Sequence, residues 1–412
     1  MAGNLEKSGF SIVNKEDDAD IIIVNTCSVK GTTENKIMHQ LAEIQKIYPD
    51  KKLIVSGCLP EAELDRVRKV APNSPIVGTN HISKISVAAD FALQDEQVVF
   101  IGKTKEEKVN VPKIRANSVI DIVPISSGCL SYCTFCSTKL AKGDLFSFGK
   151  ESIVNEIRSA KIGSGAKEFW LTSQDCGCYG FENGSNVARL IKSIITNVSG
   201  VYFLRLGMSN PQHLKRFLPD LIEAYRNEHV FKFLHVPVQS GSNSILRKMS
   251  RGHTVEDYKN IVAAFRREIP EITIWTDIIV GFPGETEDDF YSSVELIKET
   301  TPDFVNISSY SPRPGTKSAR MKQVTTEVKK ERTRILSGIV KNIYLENNKR
   351  WVGWSGQIII DEFNAAKNTF VGRNYAYKPV VVKGGFEDLE LGQIVDVVVT
   401  DFTSTYLVAG AK

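Results

Sequence analysis

Two short apolar runs near the start of the chain, ADIIIVNTC (19–27) and KKLIVSGC (51–58), are rich in Ile and Val and show no alternating polar face. That is the pattern of parallel strands covered on both sides. Between them, TENKIMHQLAEIQKIY (33–48) places Ile37, Leu41, Ile44 and Ile47 along one helical face. Together they predict a β-α-β unit of an open α/β sheet. Upstream, NLEKSGF reads as the last turn of a helix with Gly9 just beyond its end. The strand that should precede this helix is missing, so an incomplete open α/β domain is expected over residues 1–104.

The polar, aperiodic stretch 105–118 suits a linker. Six further strand candidates follow, separated by helical stretches. They are VIDIVPIS (119–126), EFWLTSQD (168–175), YFLRLGMS (202–209), FKFLHVPVQ (231–239), ITIWTDIIVGFPG (272–284) and FVNISSYSPRPG (304–315). Six β-α units predict a parallel sheet curled into a partial (β/α)6 barrel over residues 115–347. Polar residues collect where these strands end, among them Ser173, Gln174, Asp175, Ser209, Asn210, Gln239, Glu285 and Arg313. Barrel enzymes build their sites at that end. After residue 350 the pattern changes to five short strands separated by turn residues, a small all-β barrel over 350–412, preceded by a long basic helix.

A formal charge of +4 over 412 residues permits a nucleic-acid partner without arguing for one. No apolar run reaches the roughly 18 residues of a membrane span, and MAGNLEKSGF lacks the apolar core of a signal peptide. A cytoplasmic protein without a membrane segment is expected, in which thiols stay reduced. The seven cysteines are then metal ligands, reactive groups or core fillers rather than disulfide partners.

Three of them, Cys129, Cys133 and Cys136, fall within GCLSYCTFC (128–136), directly after the first barrel strand. A tetrahedral zinc site wants a fourth protein ligand, and no histidine follows for dozens of residues. Three thiolates suit a 4Fe-4S cluster that keeps one iron open for a small molecule. A chance grouping of small buried residues, or a zinc knuckle, is the competing interpretation. Cys27 and Cys58 both end strands of the first domain, where the crevice of an open α/β sheet lies, so these two thiols can face one site.

The C-x3-C-x2-C spacing, with Phe135 before the last cysteine, resembles that of the radical S-adenosylmethionine (radical SAM) enzymes. NTCSVKGTTENK, SGCLPEA, SSGCLSYCTFCSTKLAKG, EFWLTSQD, LRLGMSNP, FLHVPVQSGSNSILRKMSR, TDIIVGFPGETEDDF and YSPRPGT span nearly the whole chain in this order and resemble the methylthiotransferases. GCLSYCTFCSTKLAKG and RLGMSNP are most similar to the archaeal and eukaryotic branch that acts on tRNA N6-threonylcarbamoyladenosine. The final barrel resembles the RNA-binding TRAM domain. The resemblance implies a radical SAM barrel with a 4Fe-4S cluster on Cys129, Cys133 and Cys136. It also implies an auxiliary cluster in the first domain, with Cys27 and Cys58 as ligands. The implied reaction adds a methylthio group to C2 of the adenosine at position 37. One S-adenosylmethionine supplies the methyl group and another the radical. An sp2 C–H has no useful acidity, which gives radical chemistry its rationale. A tRNA substrate, an electron-donor protein and a sulfur donor come with that assignment. The family's auxiliary cluster uses three cysteines, the first upstream of the element that holds Gly9. This sequence starts too late to include it, so either a missing segment or a cluster short of one ligand is expected.

The same resemblance sets Gly281 and Gly284 of VGFPGETEDDF (280–290) beside the adenine of S-adenosylmethionine. The alternative is a plain strand-to-helix turn, with Thr286 and Asp289 at capping-box spacing. Gln239 would bond the ribose or the methionine portion, or else tie loops together. Arg205 is a charge inside an apolar strand and needs a carboxylate, from S-adenosylmethionine or from an acidic side chain. Ser173 and Gln174 would line the same cavity. Cys176 and Cys178 match no cluster motif and read as buried bystanders, and His235 as a hydrogen-bonded core residue. Lys367, Arg373, Asn374, Tyr377 and Lys378 offer an RNA loop stacking and phosphate contacts, or are simply a solvated surface. The basic segment 329–334 would add phosphate contacts. Two other readings stand beside these: a methylthiotransferase acting on a ribosomal-protein aspartate, and an RNA-binding protein with one cluster and no sulfur transfer.

Overall fold

The computed structural model describes residues 1–27, 31–383 and 389–411. The chain forms two compact units, one of Met1–Ile114, Ser127–Phe146 and Ser311–Met321, the other of Arg115–Ser126, Ser147–Tyr310 and Lys322–Lys412. The loop with three cysteines thus groups with the N-terminal domain, although in sequence it leaves the first barrel strand.

The first unit is built on parallel strands β1 (Ile21–Thr26), β2 (Lys52–Gly57), β3 (Ile76–Gly78) and β4 (Val99–Phe100), in that spatial order. Ile22, Val24, Leu53 and Val55 pack on one face against Ile37, Met38, Leu41 and Ile44 of helix Gly31–Ile47. On the other face, Ile54 and Val77 meet Leu5, Ile85, Ala88 and Ala89. Burial on both faces is why these strands carry no polar alternation. Ile47, the last of the predicted stripe, is exposed at the helix end, and Met38 takes a core place instead. The helix end predicted at Gly9 is present: Gly9 N–H donates to Glu6 O and Phe10 N–H to Leu5 O, each at 3.0 Å.

The second unit opens with β5 (Ile120–Pro124); two-residue strands β6 (Ser126–Ser127) and β7 (Phe146–Ser147) stand in the chain on either side of the cysteine loop, where the chain passes from one unit to the other. Then come β8 (Glu168–Thr172), β9 (Phe203–Leu206), β10 (Phe233–His235), β11 (Thr273–Val280) and β12 (Phe304–Ser309). They form parallel sheets β5-β8-β9 and β10-β11-β12, joined by one parallel bridge between Leu204 and Val230. This is the predicted partial barrel. Helix Thr326–Lys349 leads to a closed barrel of β13 (Ser355–Asn364), β14 (Thr369–Arg373), β15 (Pro379–Val382), β16 (Ile394–Phe402) and β17 (Leu407–Ala411). Ile359 and Tyr377 of this small barrel pack against Val119, Phe231 and Phe233, at the amino ends of the parallel strands. Lys232 N–H donates to Tyr375 O at 2.7 Å across the same junction. The terminal barrel therefore closes the floor of the partial barrel, and the carboxyl strand ends remain for the site.

Candidate active site

In the first unit, Cys27 and Cys58 follow Thr26 and Gly57, which are register partners in β1 and β2. The strand ends are tied by Thr26 Oγ1, which donates to Ser56 O at 2.6 Å and accepts from Leu59 N–H at 3.1 Å. Cys27 is exposed and Cys58 half-buried, and both lie at the carboxyl ends of adjacent strands. Helix Cys58–Val70 packs against helix Ser137–Lys142, which begins directly after Cys136. Five cysteines from three sequence segments thus lie in one compact unit.

The 129–136 loop needs its leading glycine. Gly128 has φ +73°, and a Cβ there would fall 1.9 Å from the carbonyl oxygen of Asp144. Within the loop, Cys136 N–H donates to Cys133 O at 3.1 Å and Ser131 N–H to Cys129 Sγ at 3.3 Å. Burial pushes the Cys136 thiol up, and negative charge on Cys133 and Cys129 adds to the effect against an opposing backbone N–H from Lys139. Three half-buried thiols on one short loop form a donor set for a positively charged iron centre. They fit a 4Fe-4S cluster with one open iron.

In the second unit, Ser173, Gln174, Gln239, Gly281 and Gly284 follow the carboxyl ends of β8, β10 and β11. Gln239 is buried with φ +77°, held by its N–H on Asp277 O (2.9 Å) and its carbonyl on Ile279 N–H (3.0 Å). Such a conformation costs about 1–3 kcal/mol outside glycine and gathers at functional sites. Asp175 is buried; its Oδ1 accepts from Gly177 N–H and Asn210 N–H, both at 3.0 Å, and its Oδ2 lies 2.8 Å from His213 Nδ1. Ser173 Oγ accepts from Asp175 N–H at 3.0 Å, and Gln174 is half-buried beside it. Gly281 N–H donates to Glu285 Oε2 at 2.6 Å, and Lys248 Nζ donates to Gly284 O at 2.8 Å. Thr286 and Asp289 form the expected capping box, so the glycine loop is a helix entry whatever else it holds.

Residues 123–297 match the model of the Radical SAM superfamily, and residues 1–78 match that of the uncharacterized protein family UPF0004. A Pyrococcus horikoshii protein described as a probable threonylcarbamoyladenosine tRNA methylthiotransferase is 42% identical over 99% of this chain and 94% of its own length. The Homo sapiens threonylcarbamoyladenosine tRNA methylthiotransferase is 34% identical over 93% of this chain and 66% of its own. The chain belongs to the threonylcarbamoyladenosine tRNA methylthiotransferase family. Its fold is shared with a radical S-adenosylmethionine methyltransferase from Kitasatospora setae, at a TM-score of 0.55, 14% identity, and coverage of 73% of this chain and 63% of that one.

Within this threonylcarbamoyladenosine tRNA methylthiotransferase family member, several expected contacts take other roles. Arg205 finds aromatic faces in place of a carboxylate, its guanidinium lying 4.9 Å from the Trp170 ring, 4.6 Å from Phe233 and 5.0 Å from Tyr377. It supports the barrel floor rather than the cofactor end, because Tyr377 covers the amino ends of the strands. Arg373, Tyr377 and Lys378, expected to meet RNA, are taken up by the same junction. Arg373 Nε donates to Asp361 Oδ2 at 2.9 Å, and Tyr377 is buried against Phe231 and Phe233. Lys378 Nζ donates to Asp303 at 2.7 Å and to Asn348 at 3.0 Å. Asn374 is buried and caps the turn through Ala376 and Lys378 N–H, while Lys367 stays exposed. In the 329–334 segment, Lys329 and Arg332 turn inward. Lys329 donates to Tyr310 O at 3.1 Å, and Arg332 pairs with the buried carboxylate of Glu285. Lys330 and Arg334 face solvent.

Cys176 and Cys178 are fully buried, each Sγ–H donating to a carbonyl, and burial pushes the Cys176 thiol up to about 12. His235 bonds Asp277 at 3.3 Å, a hydrogen-bonded residue as expected. Sequence reasoning missed the Glu285–Arg332 pair, the Asp175–His213 pair and Lys108. Lys108 sits in the expected linker, donates to Thr79 O at 2.6 Å, and is pushed down to about 8 by burial and then by the charge of Lys142. The partners of these residues lie far away in sequence, and spacing carries no signal of them.

Proposed function

We propose that this chain adds a methylthio group to C2 of N6-threonylcarbamoyladenosine at position 37 of tRNA, by radical S-adenosylmethionine chemistry. The observation that carries the reading is 42% identity along 99% of the chain to a relative of that description. The three thiols gathered on one half-buried loop support it. Cys129, Cys133 and Cys136 would hold a 4Fe-4S cluster, and Cys27 and Cys58 would serve as ligands of an auxiliary one. A cluster bound at the first three would supply one electron and an open iron for reductive cleavage of S-adenosylmethionine. The protein's part is positional. Gly281 and Gly284 bring backbone close to the adenine, Gln239 presents its amide from a strained turn, and Ser173 and Gln174 line the same end of the barrel. Asp175, locked by two backbone N–H groups and His213, keeps the strand-end loop in place. We assign residues 1–104 as the methylthiotransferase domain, 115–347 as the radical SAM barrel and 350–412 as an RNA-binding module. No helix among the described residues is long and apolar enough to cross a membrane. A cytoplasmic enzyme that draws on an electron-donor protein and a sulfur donor suits this chemistry.

Mass spectrometry of tRNA nucleosides from a deletion strain tests the reading. The 2-methylthio form of threonylcarbamoyladenosine should vanish, the unmodified form should accumulate, and the gene should restore both. An unchanged nucleoside pool, with a methylthio mark lost from a ribosomal-protein aspartate, would replace it with the other substrate.

A further inference from the structure

The motif SPRPGT explains the local shape of residues 311–321. Thr316 donates from its N–H (3.1 Å) and its Oγ1 (2.7 Å) to Arg313 O, closing a turn with Pro314 and Gly315 at its centre and Gly315 at φ +77°. Prolines on both sides of Arg313 restrict the backbone that presents it. From this stiff segment Arg313 sets Nη1 2.7 Å from Glu34 Oε2, the two side chains only 5% and 4% exposed. Glu34 lies in the first turn of the helix that follows Cys27. Further along, Ser318 donates from both N–H and Oγ to Thr134 O, each at 3.0 Å. Thr134 stands between Cys133 and Cys136. One short segment therefore has one anchor in helix Gly31–Ile47 and one in the three-cysteine loop of the same unit.

A buried ion pair adds little net stability, because desolvation offsets the attraction. Burial raises the Glu34 carboxyl despite Arg313, which fits such a balance. The pair instead fixes a distance. We propose that residues 311–321 form a strap holding the 129–136 loop in register with helix Gly31–Ile47, with Arg313 as its positioning residue. The proposal rests on the reading above, in which both cysteine segments serve one sulfur-transfer reaction.

The test uses the full chain, reconstituted anaerobically with iron and sulfide, as wild type, Arg313→Gln, Glu34→Gln, the double variant, Arg313→Lys and Ser318→Ala. Hydrogen exchange at the Cys129 and Cys136 amides is expected to quicken about tenfold in either single glutamine variant and no further in the double. Arg313→Lys should restore part of the protection, and Ser318→Ala should loosen the same loop with the ion pair intact. Amides of β13, in the other unit, should keep wild-type protection. On tRNA, 5′-deoxyadenosine released per methylthiolated adenosine should rise about fivefold in the glutamine variants as positioning is lost. Wild-type exchange in both single variants, additive effects, or equal loss of protection in β13 would each overturn the strap. A wild-type chain that never cleaves S-adenosylmethionine sinks the functional reading instead, and the exchange measurement still decides on the strap.

Discussion

Glu168, the first residue of β8, is fully buried, with Oε1 accepting from Trp170 Nε1 at 2.5 Å and Oε2 without a partner among the described residues. Burial, and then the negative charge of Asp361, push its carboxyl up to about 7. A raised carboxyl favours the protonated fold, so its contribution is complete below the ordinary carboxylate range and is lost as pH rises through about 7. Thermal stability should therefore decline between about pH 4.5 and pH 7 and level off above, by up to about 3 kcal/mol from this group, and Glu168→Gln should flatten the decline. Melting curves across that range check it, and an unchanged slope in the variant would refute it. At the cysteines the contrast is chemical. Cys136→Ala should cost about four irons per reconstituted chain. Cys176→Ala should cost none, since a thiol held near 12 offers no thiolate. Iron assay on both variants separates them. The C-x3-C-x2-C group was legible because its ligands are local. Glu168 was not, because its perturbing neighbours come from β14 and the preceding strand of the other barrel.

The strands and helices were legible from period and composition, and each predicted barrel strand has its counterpart in the fold. Orientation was harder. The helix Thr326–Lys349 was expected to offer a basic face to phosphates. Instead it spends Lys329 on Tyr310 O and Arg332 on Glu285 of the glycine loop, and leaves Lys330 and Arg334 outside. Long basic side chains lay apolar stems along a packed surface and place charge where an acid waits, so charge alone does not tell the inner face from the outer. Removing Arg332 strands the buried carboxylate of Glu285. Arg332→Met should cost about 3 kcal/mol and raise the Kd for S-adenosylmethionine, whereas Glu285→Gln with Arg332→Met should recover much of the stability. Denaturant titration of both variants checks this, and equal losses would rule out a coupled pair.

At the scale of the whole molecule, the residues first assigned to RNA in the terminal barrel join it to the parallel barrel. Tyr377→Ala should destabilise the chain by about 3–5 kcal/mol, as for other buried aromatics. Arg373→Ala should lower stability without changing how tRNA affinity depends on salt, whereas exposed Lys367→Ala should reduce the salt slope by roughly 0.7–0.9 if it meets a phosphate. Binding titrations at several salt concentrations discriminate these outcomes. By itself the sequence determined the strand and helix order, the small terminal barrel and the three-thiol loop, because each depends on neighbours in the chain or on a short repeat period. Only the tertiary structure decided that the cysteine loop belongs to the N-terminal unit, that Arg313 reaches Glu34, and that Arg205, Arg373, Tyr377 and Lys378 face inward. Those facts depend on which distant side chain supplies a counter-charge or an aromatic face in a buried setting, and no local pattern encodes that partner.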